Sequence, residues 1–142
     1  MKEINISANL YKINCNAYTY IIYPKLFGNS IFEDISVIQQ FVGSGALTLE
    51  KLKNDNNNLS DDEIAEMITK SFSAEKLQAY IESSLKLAYA LIYTANNDFM
   101  EYNEWLKTIR NIDAGDEWIA EIANYVITNF IDFEAEEEVK KK

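Results

Sequence analysis

Apolar residues recur along this chain with two periods, first of two and then of between three and four. Ile4, Ile6, Leu10, Tyr11, Ile13 and Cys15 alternate with polar residues on either side of a Ser7-Ala8-Asn9 break, which predicts two short strands joined as a hairpin. A lone hairpin is marginal in water, so this one needs an element to pack against. The apolar, aromatic stretch from Ala17 to Phe27 reads as a helix stopped by Gly28, with Pro24 marking a kink or a first turn. Ser30 and Glu33 have capping-box spacing ahead of Ile31, Ile35, Ile38 and Val42, which predicts a helix near 31–42 ended by Gly43 and Gly45. The polar run Asn54 to Asn58 reads as a loop. Ser60 and Glu63 repeat the box before a short helix with the stripe Ile64, Met67, Ile68 and Phe72, and Ser73 caps the next.

From Ala74 to Ala95 one face carries Leu77, Ile81, Leu85, Ala88, Leu91 and Ile92, widened by Tyr80, Leu87 and Ala90, as a core helix requires. Asp98 and Glu101 precede a helix holding Tyr102, Trp105, Leu106 and Ile109, and Asp116 caps a last one with Ile119, Ile122, Val126, Ile127 and Phe130. The predicted fold is mainly α (α+β), a compact domain of five or six helices with a short N-terminal β-hairpin packed on it. Residues 1–131 form one globular domain, and 132–142, acids followed by lysines, form a charged, disordered C-terminal tail.

Composition narrows the function. Acids outnumber bases 23 to 13 for a net charge of -10, which disfavours nucleic acid and anionic membrane surfaces as partners. Hydrophobic residues at 48% indicate that this charge is carried on a folded surface. One cysteine forms no internal disulfide, and the N-terminal residues lack a signal-peptide pattern, so a reducing cytoplasm is expected. The longest apolar stretch, Leu85 to Ala95, contains Lys86 and is too short to span a bilayer.

No histidine is present, which removes the commonest general base and zinc ligand. Asp55 to Glu66 superficially matches a calcium loop, but Ser60 stands where glycine is needed and Leu59 cannot ligate. Asp61, Asp62, Glu63 and Glu66 read as first-turn acids favoured by the helix dipole, and Cys15 as a packed thiol. No catalytic residues, cofactor or metal are expected. Nine tyrosines and two tryptophans leave a partner-binding surface as the main candidate, placed at Tyr89, Tyr93, Tyr102, Trp105 and Trp118.

The stretch LKLAYALIYTANNDFMEYNEWL, residues 85–106, resembles the tail assembly chaperones of long-tailed, siphovirus-type bacteriophages and prophages. Tyr23, Phe27, Gly28, Ile31 and Phe32 are similar to the signature those proteins often carry after an N-terminal hairpin, with Ser30 where Asp is frequent. The resemblance runs from the hairpin to about Phe130. It implies a non-catalytic chaperone that binds the tape measure protein, helps tail tube protein gather on it, works in the cytoplasm of the bacterial host and is absent from the mature virion. Self-association is a further expectation. Such genes often yield a longer frameshifted product, and Lys140 to Lys142 are then expected to be encoded by an A-rich slippery stretch, the alternative being a solubilising basic end. The competing expectation is an acidic DNA mimic that inhibits a host nucleic-acid enzyme.

Overall fold

The structure is a computed structural model; it describes residues 2–55, 60, 62–63, 66–67, 74–112 and 116–140, with only the backbone described over 44–55 and 131–140. Two strands, β1 (Lys2–Ile6) and β2 (Asn9–Ile13), pair antiparallel with Ile4 opposite Tyr11 and Glu3 opposite Lys12. Ile4, Ile6 and Ile13 are buried on one face, while the other carries the oppositely charged Glu3 and Lys12. Ser7 and Ala8 form the two-residue loop, at φ 51° and 67°. Positive φ at both central residues is what a hairpin turn of type I′ requires, and here neither residue is glycine. The second strand ends before Cys15, whose buried thiol lies in the connection to the first helix.

Five helices are described: α1 (Ala17–Phe27), α2 (Ile31–Asp55), α3 (Ala74–Ala95), α4 (Tyr102–Leu106) and α5 (Glu117–Lys140). The fold is thus mainly helical with an N-terminal hairpin packed on helices, as the periodicity predicts. At the centre is α3: from Leu87 to Ile92 six successive side chains are buried, so this half is enclosed on every side. Its buried set also contains Tyr80, Ser83 and Ser84, whereas Leu77, Ile81 and Leu85 are half-buried. The core face is therefore rotated from the predicted stripe. Hydrogen bonds make this possible, since Ser84 Oγ donates to the Tyr80 carbonyl (2.7 Å) and Ser83 Oγ to Asp34 (2.8 Å). The Asn14 N–H donates to the Leu91 carbonyl (3.1 Å) and ties the end of the hairpin to this helix.

Three predicted boundaries are corrected. The second helix does not stop at Gly43 and Gly45 but runs to Asp55, because a helical glycine costs only about 1 kcal/mol and ends a helix only when the chain leaves it. The backbone of α5 continues through the charged stretch to Lys140, where a disordered tail was predicted from charge; Glu, Ala and Lys are strong helix formers, and composition alone undervalues that propensity. Before α4, Glu101 is the N-cap with no side-chain cap bond, so the Asp98–Glu101 box does not form. The Ser30 and Ser60 caps do form, each hydroxyl accepting from the N–H three residues on (3.3 and 3.2 Å). The Asn-rich loop beyond Asp55, the body of the helix predicted over 60–72 and the predicted Ser73 cap lie outside the described residues. Among the described residues no helix is long and apolar enough to cross a membrane.

Candidate functional site

Capping fixes α1 at both ends. The Asn16 side chain accepts from the Tyr18 N–H (3.0 Å), and Thr19 Oγ1 accepts from the Asn16 N–H (3.1 Å). Gly28, at φ 80°, closes the other end by donating its N–H to the Pro24 carbonyl (2.8 Å). Pro24 therefore sits in the last turn and not the first, and it lacks the N–H that would otherwise donate to the Tyr20 carbonyl.

The inner face of this helix is polar-tipped. Its two fully buried residues are Thr19 and Tyr23, each 0% exposed. Thr94 gives its hydroxyl proton to the Ala90 carbonyl (2.7 Å), so Thr19 is the donor in the 2.8 Å contact between the two threonines. Tyr23 donates its hydroxyl to Asp34, a buried carboxylate on α2. Asp34 also accepts from Asn29 (2.9 Å) and Ser83 (2.8 Å), and Lys86 Nζ stands 3.2 Å away, itself bonded to the Asn29 side chain (2.9 Å). Burial alone pushes the Asp34 carboxyl upward, but the bonds from Tyr23, Asn29 and Ser83 and the Lys86 charge outweigh it and leave its pKa below the ordinary value. Burial, and then the neighbouring carboxylate, push the Tyr23 hydroxyl strongly upward. The cluster therefore holds Asp34 ionised and Tyr23 neutral at pH 7, a satisfied polar junction between α1, α2 and α3.

The outer face is apolar. Ala17, Tyr18, Ile21, Pro24 and Lys25 are all exposed, and Ile21 reaches 63%. Tyr18 stacks on Tyr93 of α3 (6.4 Å between centroids) along one flank. Along the other, half-buried Tyr20 stacks on exposed Phe32 (5.7 Å), which meets Phe130 of α5 edge-on (5.1 Å). The inward tips of Thr19 and Tyr23 are thus hydrogen-bonded, while Ala17, Tyr18, Ile21 and Pro24, with Lys25, face solvent.

Of the five aromatic residues predicted to meet a partner, this surface includes only Tyr93. Trp105, Tyr89 and Trp118 are 0%, 2% and 5% exposed and belong to the core, and Tyr102 is half-buried against Phe27 and Tyr89. Their burial corrects the predicted exposed ridge. The i, i+4 spacing of Tyr89 and Tyr93 describes one helix face but not what covers it, and α4 with its neighbouring loop covers Tyr89, whose hydroxyl donates to the Met100 carbonyl (2.8 Å). The signal that identifies α1 was present in the sequence: Ala17–Phe27 has one charged residue, Lys25, and no polar face to turn outward.

An open cleft of about 640 Å³ lies between the Ser7-Ala8 turn and the start of α5, with Asp116, Glu117 and Trp118 in its wall. Asp116 accepts from the Trp118 indole (3.3 Å), and acids at a helix start are what the dipole favours. Among the described residues no three His, Cys, Asp or Glu side chains are grouped to hold a metal ion. The other shifted groups also move away from neutrality: burial raises Tyr80 and Tyr102 to about 12 and raises the Cys15 thiol. Comparison with protein-family models, curated proteins and solved structures finds no match to this chain.

Proposed function

We propose that the protein is a non-catalytic tail assembly chaperone, which binds the tape measure protein of a long-tailed phage in the host cytoplasm and assists tail tube assembly without remaining in the virion. The observation that carries this reading is the apolar outward face of α1, with Ile21 63% exposed between two aromatic flanks. An exposed apolar strip bordered by aromatic rings is suited to holding a partner chain that must stay dissolved until it assembles. The residues behind the family resemblance build the same corner: Tyr23 pins α1, Phe27 packs against Tyr23, Gly28 turns the chain, Ile31 is buried and Phe32 is exposed beside the strip.

Gene order and co-expression test the proposal. The gene is expected between those of a tail tube protein and a very long coiled-coil protein. Producing that long protein with and without this one should raise its soluble fraction several-fold. An unrelated gene neighbourhood together with unchanged client solubility would overturn the assignment.

A further inference from the structure

The outward strip of α1 has a chemistry that selects what can lie on it. Tyr18, Ile21 and Lys25 follow one another at intervals of three and four residues, a ridge along the helix axis. Eleven residues make this helix about 16 Å long, enough for three turns of a second helix to pack on it ridge into groove. Between Ala17 and Phe27 there is no acid, in a chain where acids outnumber bases 23 to 13. The strip is thus a seat free of acids, with one lysine at its end, on a body of net charge -10. A second copy would bring another strongly negative body against it and be repelled; a helix with an apolar stripe flanked by lysine or arginine would be drawn in by the whole molecule and bury its stripe on Tyr18 and Ile21.

We infer that the outer face of α1 is the docking seat for a basic amphipathic helix supplied by a partner chain. This deepens the chaperone reading and rests on it, since it names the surface and the chemistry of the client segment. The inward polar contacts set the rotation of α1 about its axis, Thr19 toward Thr94 and Tyr23 toward Asp34, and so keep Tyr18 and Ile21 outward before any partner arrives. Such preorganisation lowers the ordering entropy of binding.

The test uses the full chain and two probe peptides of equal length, a leucine–lysine amphipathic helix and its leucine–glutamate counterpart. The lysine peptide is expected to bind, with affinity falling as salt rises, and the glutamate peptide to bind at least tenfold more weakly. The double variant Tyr18→Ser/Ile21→Ser should weaken the lysine peptide by at least tenfold. Leu10→Ser, which removes an equally exposed apolar residue from the hairpin, should leave it unchanged. Circular dichroism of each variant confirms that the fold is retained. Equal binding by the wild type and the double variant, equal binding of the two peptides, or no binding of either would overturn the inference. So would a wild-type dimer that the double variant dissociates, because the seat would then belong to a second copy. If the double variant still raises client solubility as the wild type does, the seat is wrong and the chaperone reading stands; if the peptides bind as expected but client solubility never changes, the reverse holds.

Discussion

Replacing Asp34 with asparagine keeps the shape of the buried junction and removes its charge. Asp34 is 4% exposed and accepts from three side-chain donors, with the Lys86 ammonium 3.2 Å away. The new amide can turn its carbonyl to only some of these donors. The Tyr23 and Ser83 hydroxyls can reverse and accept, but Lys86 cannot. Removing one partner of a buried pair costs about 3–5 kcal/mol. The Lys86 side chain retains 23% of its exposure and recovers some hydration, which sets the expectation for Asp34→Asn near the lower end, about 3 kcal/mol. With a urea m-value of about 2 kcal/mol/M, the unfolding midpoint at pH 7 should fall by about 1.5 M.

The same group gives a pH signature. Its folded pKa lies below the ordinary 3.8, so its stabilisation is complete above that value and is lost as pH falls through the folded one. The gap between wild type and Asp34→Asn should therefore be full at pH 6–7 and narrow progressively below pH 3.8. Urea titrations at several pH values measure both quantities. A loss under about 1 kcal/mol at pH 7, or a gap that does not change with pH, would refute the account of the junction as a charged, fully engaged site.

Three further outcomes are expected. Gly43 lies inside α2 with open space where a Cβ would stand, so Gly43→Ala should stabilise by about 0.5–1 kcal/mol and raise Tm by a few degrees; a lower Tm would show that the helix is broken there. Ala8 is held at φ 67°, and Ala8→Gly should likewise gain about 1 kcal/mol by relieving the left-handed strain, with an unchanged thermal melt counting against it. Burial raises the Cys15 thiol pKa, so a thiol reagent at pH 8 should label folded protein slowly and urea-unfolded protein at once; fast stoichiometric labelling of the folded chain would contradict its burial.

Helices and strands could be read from the sequence where periodicity and capping agree. Ser30 with Glu33 placed the start of α2, and the alternation from Ile4 to Ile13 placed the hairpin. Ends were less legible, because Gly43 is a stop only if the chain adopts a left-handed turn there, a decision that tertiary packing makes. The Asn16–Thr19 box departs from the usual Ser/Thr-x-x-Glu/Gln pattern at both ends, so the sequence alone does not mark it. The surface was read least well. A count of aromatic residues points to Tyr89 and Trp105, which the fold buries, whereas the largely apolar composition of Ala17–Phe27 requires either a fully enclosed helix or one with an open apolar side.

The Thr19–Thr94 and Tyr23–Asp34 contacts separate two tasks within eleven residues. Because the positions that lock α1 in place are different from those it shows to solvent, Tyr18 and Ile21 are free to drift in sequence without loosening the scaffold. Selection can then alter the outward face while inheriting the architecture unchanged, and diverged descendants should keep the threonine, tyrosine and aspartate far longer than the outward hydrocarbon.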